Sequence, residues 1–328
     1  MPILPAEPAV IERAARMLRE GGVVALPTET VYGLGADAGS PEGVAQVYRI
    51  KGRPADHPLI VHVLDIAQAG FWALPDPRAE ALARAFWPGP LTLILRRAPG
   101  APAAACGGES TIGLRAPSHP VARALLAALR ALGGQGIAAP SANRFGRVSP
   151  TRAAHVQADL GEEVPLIIDG GECAVGLEST IVDLSRPQAT LLRPGGIDAA
   201  AIAAVLGAPL RARDAQAPRA SGTLAAHYAP RTPLELVAPA ALAQRVAMLA
   251  ARGVAVAVWS RQPQAGARWR GAPDEPAAYG HELYDALRQL DAIGATRLLI
   301  ETPPAGPAWE AVHDRLSRAA ATFAPASP

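Results

Sequence analysis

Between residues 9 and 206 the chain alternates short apolar runs with segments of helical period, and this alternation limits its fold more than any other feature. Runs suited to strands fall at 23–26, 58–64, 91–96, 111–116, 136–140, 165–169, 179–184 and 190–193. They are strand-length rather than helix-length and are separated by turn-forming residues. Helical segments fall at 9–20, 41–50, 77–86, 119–132, 151–160 and 198–206. In the first, Ile11, Ala14, Ala15 and Leu18 share one face, and Gly21-Gly22 supplies the stop. Ser40-Pro41 is a good N-cap and first-turn pair for the second. So many strands between short helices predict an α/β fold with one large, twisted, mixed sheet and helices packed on it.

The pattern breaks at 207–232, GAPLRARDAQAPRASGTLAAHYAPRT, which is rich in Ala, Pro, Arg and Gly and has no period. This reads as a linker. Its last part, SGTLAAHYAP, sets His227 and Tyr228 before a proline, apolar and aromatic where a spacer is usually solvated. It is expected to fold across a site as a lid. From 233 to 328 the chain restarts as strand (LELV), helix (239–252), strand (254–259), helix (280–293), strand (297–301) and helix (308–322). Repeats of this kind predict a small Rossmann-like three-layer domain with a parallel sheet. No GxGxxG follows its first strand, so a dinucleotide site is not expected there. The domains therefore read as 1–206, a linker or lid at 207–232, and 233–328, in keeping with a chain of 328 residues.

A net charge of +2 excludes a blanket attraction to nucleic acid and leaves only a local, weak RNA contact open. Cys106 and Cys173 are far apart and form neither a disulfide framework nor a zinc motif. The start MPILPAEPAVIER lacks a basic region before a long apolar one, and no apolar run approaches a membrane span. A soluble, cytoplasmic protein is the expectation.

Chemistry concentrates in PTETVYGLGADAGSPEGVAQVYRIKGRPADHPLIVH, residues 27–62. A strand leads into a turn of hydroxyls and a carboxylate, two glycines follow, and a helix ends on Lys51 with Arg53 beyond it. Such cations either complement the helix dipole or grip phosphates, Arg as a fork and Lys as a point charge. Ser141 and Asn143 follow the apolar run at 136–140, where a local turn and a ligand contact are both open readings. Arg115 sits in TIGLRAP and must reach an anion or solvent. His62 alternates with Val61 and Val63, as either a structural group or a ligand contact. Glu29 and Glu178 lie among hydroxyls, and no proton-transfer role is assigned to either.

The ordered set of PTETVYGL, KGRP and SAN, with WPGPLTLIL (87–95), TIGLRAPSHP (111–120), IIDGG (167–171), GLESTIVD (176–183), LLRPG (191–195) and HYAP (227–230), resembles the YrdC-like superfamily. Within it the match is to the two-domain threonylcarbamoyl-AMP synthases. The resemblance implies an open twisted sheet around a deep cavity. It implies that L-threonine, bicarbonate or CO₂, and ATP with Mg²⁺ give L-threonylcarbamoyl-AMP and pyrophosphate. Downstream threonylcarbamoyl-transferase proteins would then use the product to modify tRNA. By resemblance Thr30, His62, Arg115, Ala139 and Ser179 line the threonine pocket. ATP falls to Lys51, Arg53, His57, Thr111, Ser141, Asn143, Ser149, Arg193, His227 and Tyr228, with Lys51, Arg53 and Asn143 catalytic. No residue is assigned directly to the metal. His57 departs from the pattern, since relatives often have Asn there. Two rivals stand beside this reading. A carbamoyltransferase of the same superfamily would carry extra zinc-finger modules, and this chain lacks their cysteines. A double-stranded-RNA-binding module would not need the amino-acid set.

Overall fold

The computed structural model describes residues 3–323. They divide into two compact units: one holds the chain up to Phe145 together with Pro150–Thr223, the other Gly146–Ser149 and the chain from Leu224 onward.

The strands of the first unit are β1 (Ile3–Pro5), β2 (Val23–Leu26), β3 (Gly33–Asp37), β4 (Ile60–His62), β5 (Leu91–Arg96), β6 (Thr111–Arg115), β7 (Ile137–Ala138), β8 (Ile167–Asp169), β9 (Thr180–Asp183), β10 (Thr190–Arg193) and β11 (Arg211–Ala212). They form one 11-stranded sheet in the order β1-β8-β2-β3-β7-β4-β6-β5-β9-β10-β11. The sheet is mixed: β4 and β6 run parallel, whereas β7 runs antiparallel to both β3 and β4. Helix α1 (Pro8–Arg19) turns Ile11, Ala14, Ala15 and Leu18 inward. These residues share a core with Leu125, Leu126 and Leu129. Helix α2 (Pro41–Lys51) starts at Ser40, whose side chain accepts from Gly43 N. It stops at Gly52, whose φ of 62° is left-handed and suits glycine. That stop fixes Lys51 and the loop beyond it.

The large mixed α/β sheet agrees with the pattern in the sequence. The sequence reading did not include β3, because GLGAD reads as a glycine turn. Space explains those glycines: a Cβ on Gly35 would sit 2.8 Å from the Leu26 side chain and 2.9 Å from that of Ile137. Only a bare backbone fits between those neighbours.

In the second unit β12 (Leu234–Val237), β13 (Val256–Ser260), β14 (Arg268–Gly271) and β15 (Arg297–Glu301) form a sheet ordered β12-β15-β13-β14. All its pairings are parallel. Its core includes Leu242, Val246, Leu249, Val258 and Leu299. The strand β14, RWRG, carries no apolar alternation and is not visible in the sequence. Residues 146–149 join this unit through Ala229 N donating to Gly146 O at 2.9 Å and Arg288 Nη2 donating to Val148 O at 2.5 Å. Tyr228 has a φ of 64°, an unusual state for a bulky residue. It is held there by burial, by the Tyr284 ring at 5.6 Å and by the Arg315 guanidinium at 5.4 Å. No described helix is long and apolar enough to cross a membrane.

Candidate active site

Two clusters of buried polar side chains lie in the first unit. The first gathers around Arg115, which ends an inner strand and is only 4% exposed, so it is not an edge-strand surface residue. Its Nη1 donates to Thr30 Oγ1 at 2.8 Å. Its Nη2 is 2.7 Å from Glu29 Oε1, although the two are not aligned as a hydrogen bond. The turn that presents Glu29 and Thr30 is braced from within, with Thr28 Oγ1 donating to Val31 O at 2.7 Å. His62 stands opposite Arg115 in the parallel register, and its buried Nδ1 has no hydrogen-bond partner. Ser179 Oγ is 2.7 Å from Thr92 Oγ1 and accepts from Arg193 Nη2 at 3.1 Å. Ala139 lies beneath the turn, where a Cβ on Gly33 would approach its methyl to 3.1 Å.

Burial pushes the Glu29 carboxyl up, but the Arg115 guanidinium 2.7 Å away outweighs it and holds the group below its ordinary value. Burial first, and then the Arg115 charge, push His62 down to about 3 from its ordinary 6.5. Between these values the unfolded chain binds a proton that the folded chain refuses. Stability therefore falls as pH drops through that window. Glu29 acts in the same direction lower down, since its depressed carboxyl loses its contribution as pH falls through the folded value. Replacing His62 with Leu is expected to flatten the fall in denaturation midpoint between about pH 6 and pH 4. An unchanged slope would show that His62 does not stay neutral.

The second cluster surrounds Lys51, the chain's single lysine. Its Nζ donates to Ser141 O at 2.5 Å and Asn143 O at 2.6 Å, carbonyls from another part of the chain. Lys51 therefore pins the 141–143 turn rather than merely complementing its own helix. Burial, with the like charge of Arg53 next, lowers it well below the usual lysine value. Arg53 Nη2 donates to Pro58 O at 2.9 Å and Ser221 Oγ at 3.3 Å, and its guanidinium lies 5.7 Å from the centre of the Phe145 ring. His57 meets the same ring edge-on at 5.5 Å. Arg193 Nη1 donates to Ser221 O at 2.9 Å. Ser221 thus touches two of the cations expected at the phosphates, a contact that the linker's composition did not announce.

The sequence reading set Ser141 at the carboxyl end of an apolar strand. Because β7 opposes β4, the carboxyl ends of these strands point to opposite edges of the sheet. The site is accordingly not a single-edge crevice. The 27–32 turn and the long Arg115 side chain bring the first cluster together. Thr111 opens β6, four residues from Arg115 and toward the other edge. Ser149, His227 and Tyr228 belong to the second unit, where the His227 and Tyr228 rings lie 4.2 Å apart.

Sequence reading also missed Gly195. A Cβ there would lie 2.3 Å from Thr180 N, 2.5 Å from Ser179 C and 2.6 Å from Glu178 O, all backbone atoms that cannot swing aside. Gly195→Ala is expected to cost about 1–3 kcal/mol, as overpacking does, read as a lower midpoint of thermal unfolding. No change in that midpoint would contradict the close approach.

A family profile described as "Telomere recombination" matches residues 16–195, and one described as "Threonylcarbamoyl-AMP synthase, C-terminal domain" matches 197–321. The threonylcarbamoyl-AMP synthase of Bacillus subtilis is 40% identical, with 94% of this chain and 92% of that protein covered. That of Pyrococcus abyssi is 37% identical, covering 94% and 93%. The crystal structure of P. abyssi Sua5 complexed with L-threonine superposes with a TM-score of 0.90 at 36% identity, covering 97% and 95%. The chain belongs to the threonylcarbamoyl-AMP synthase family, of the two-domain Sua5 type.

Proposed function

We propose that this chain makes L-threonylcarbamoyl-AMP and pyrophosphate from L-threonine, bicarbonate or CO₂, and ATP. The observation that carries the reading is the buried set of Arg115, Thr30, His62 and Ser179 in the unit that also buries Lys51, Arg53 and Arg193. Arg115 suits a carboxylate, and the hydroxyls and imidazole suit a small hydroxylated side chain. The three cations suit a triphosphate.

Threonine's nitrogen first takes up carbon dioxide as a carbamate. A carbamate oxygen then attacks the α-phosphorus as pyrophosphate leaves. Attacker and target are both anionic, so the site supplies positive charge and alignment rather than a protein nucleophile. Lys51, Arg53 and Arg193 supply the charge, and Arg115, Thr30, His62 and Ser179 hold the amino acid. Asn143 and Ser141 steady the phosphate end, with His57 at its margin.

Among the described residues no three His, Cys, Asp or Glu side chains gather to hold a metal. The oxygens that the structure places beside Lys51 are the neutral backbone carbonyls of Ser141 and Asn143. That donor set fits a magnesium ion carried by the triphosphate, which the protein would touch through one or two neutral oxygens. Bound so, the ion would supply charge neutralisation to the phosphates.

The product is a labile mixed anhydride, suited to consumption by transferase proteins that act on tRNA. The linker residues around Ser221, which touch Arg53 and Arg193, would help exclude water from it. The test is direct: incubate purified protein with threonine, bicarbonate and ATP, and measure pyrophosphate. Release should require all three. Release without threonine would sink the reading.

A further inference from the structure

The Arg115 cluster contains more unsatisfied chemistry than a carboxylate clamp needs. Both Glu29 carboxylate oxygens, Arg115 Nε and Nη2, and His62 Nδ1 are buried without a hydrogen bond. Glu29 and Arg115 are 6% and 4% exposed, and their 2.7 Å contact is misaligned. A buried ion pair whose remaining lone pairs and N–H groups lack hydrogen bonds is costly unless a ligand completes it. The groups facing Glu29 are Arg115 and His62, with His119 and Cys173 near enough to feel its charge. Arg115 is the single cation among them.

A ligand that satisfies this set must bring an anion for Arg115 and a cation for Glu29 on neighbouring atoms. An α-amino acid zwitterion does so. A hydroxy acid or a simple amine would satisfy one charge and strand the other. We infer that the substrate's zwitterion inserts into the Glu29–Arg115 pair, its carboxylate going to Arg115 and its ammonium to Glu29. Glu29 then takes the proton that must leave before the nitrogen can be carboxylated. In that step one N–H bond breaks, its electron pair stays on nitrogen as the lone pair that carbon dioxide needs, and the proton ends on the Glu29 carboxylate. In the free protein Arg115 holds Glu29 low. Once Arg115 turns to the substrate's carboxylate, burial acts on Glu29 with less opposition and makes it a better base. This role goes beyond holding threonine, and it rests on the synthase reading.

Calorimetry on the full-length protein tests it with two ligands: threonine, and its analogue in which a hydroxyl replaces the α-amine. The wild-type protein should bind threonine at least about 100-fold more tightly, as expected when one partner of a buried charge pair is withheld. Glu29→Gln should lose most of that preference by weakening threonine while leaving the analogue unchanged or tighter. At saturating threonine its kcat should fall, with part recovered in Glu29→Asp. Equal weakening of both ligands would reduce Glu29 to a brace for Arg115 and overturn the inference. So would unchanged threonine affinity in Glu29→Gln. If that variant does not fold, the wild-type comparison decides alone, and near-equal affinities overturn the proposal. A wild-type protein that binds no threonine at all would sink the synthase reading instead.

Discussion

Replacing Lys51 with alanine is expected to cut pyrophosphate release by about 10²–10³-fold, the usual cost of removing one preorganised stabiliser of transition-state charge. The argument starts from burial. Lys51 is 2% exposed, and its Nζ spends two donors on the carbonyls of Ser141 and Asn143. The third donor remains for a ligand. Burial and Arg53 make an ammonium costly here in the free protein, and a polyphosphate between Lys51 and Arg53 would offset that cost. Charge on Lys51 is thus favoured once ATP is bound, and it raises turnover by acting more strongly as negative charge shifts onto the departing pyrophosphate in the transition state. Alanine also strands two carbonyls, worth about 1–3 kcal/mol each if they stay unpaired. The rate should therefore be read well below the unfolding midpoint and set beside Arg53→Ala, which removes a cation without stranding the same carbonyls. Because Lys51 is the only lysine, protection of an ε-amine from acylation by added ATP reports on this residue alone. Near wild-type turnover in the Lys51 and Arg53 variants would remove the pair from the mechanism.

How much of this was legible in the sequence varies with the kind of force involved. Strands that bury apolar side chains, such as VVAL and LTLILR, declare themselves by composition. The strand GLGAD does not, because its reason is the absence of side chains where Leu26 and Ile137 press in. Arg115 could be read as a buried cation needing an anion, since it lies in an apolar strand. Its free-state partner Glu29 could not, because the two are 86 positions apart and meet only through a turn. The same holds for Ser221 on Arg53 and Arg193. Linker residues with no period leave no trace of the surface on which they settle. Motif order carried the assignment of function, while strand direction, which placed Ser141 and His62 toward opposite edges of the sheet, had to come from the fold.

Valine is expected to be a poor substrate, with kcat/KM lower than threonine's by about 10⁴-fold, the scale at which a site built around a hydroxyl rejects an analogue lacking it. Valine matches threonine in shape and differs by a methyl in place of the hydroxyl, so sterics cannot discriminate. The discrimination must come from polar groups that valine would leave buried and unpaired. His62 Nδ1 is such a group already, and Thr30 and Ser179 are the buried hydroxyls assigned to the pocket with it. His62 remains neutral through the working pH range, held down to about 3, so it can donate to or accept from the hydroxyl without bringing a charge. Serine keeps the hydroxyl and loses one methyl, worth about 1–3 kcal/mol or 10–200-fold, and should retain measurable activity. Competition assays that follow pyrophosphate with each amino acid would rank threonine, then serine, then valine. His62→Ala should narrow the gap between threonine and valine, chiefly by slowing threonine, because the group that valine strands is gone. Equal use of valine and threonine by the wild-type protein would mean that the hydroxyl does not meet this cluster. The pocket assignment of Thr30, His62 and Ser179 would then fail even if the reaction itself were confirmed.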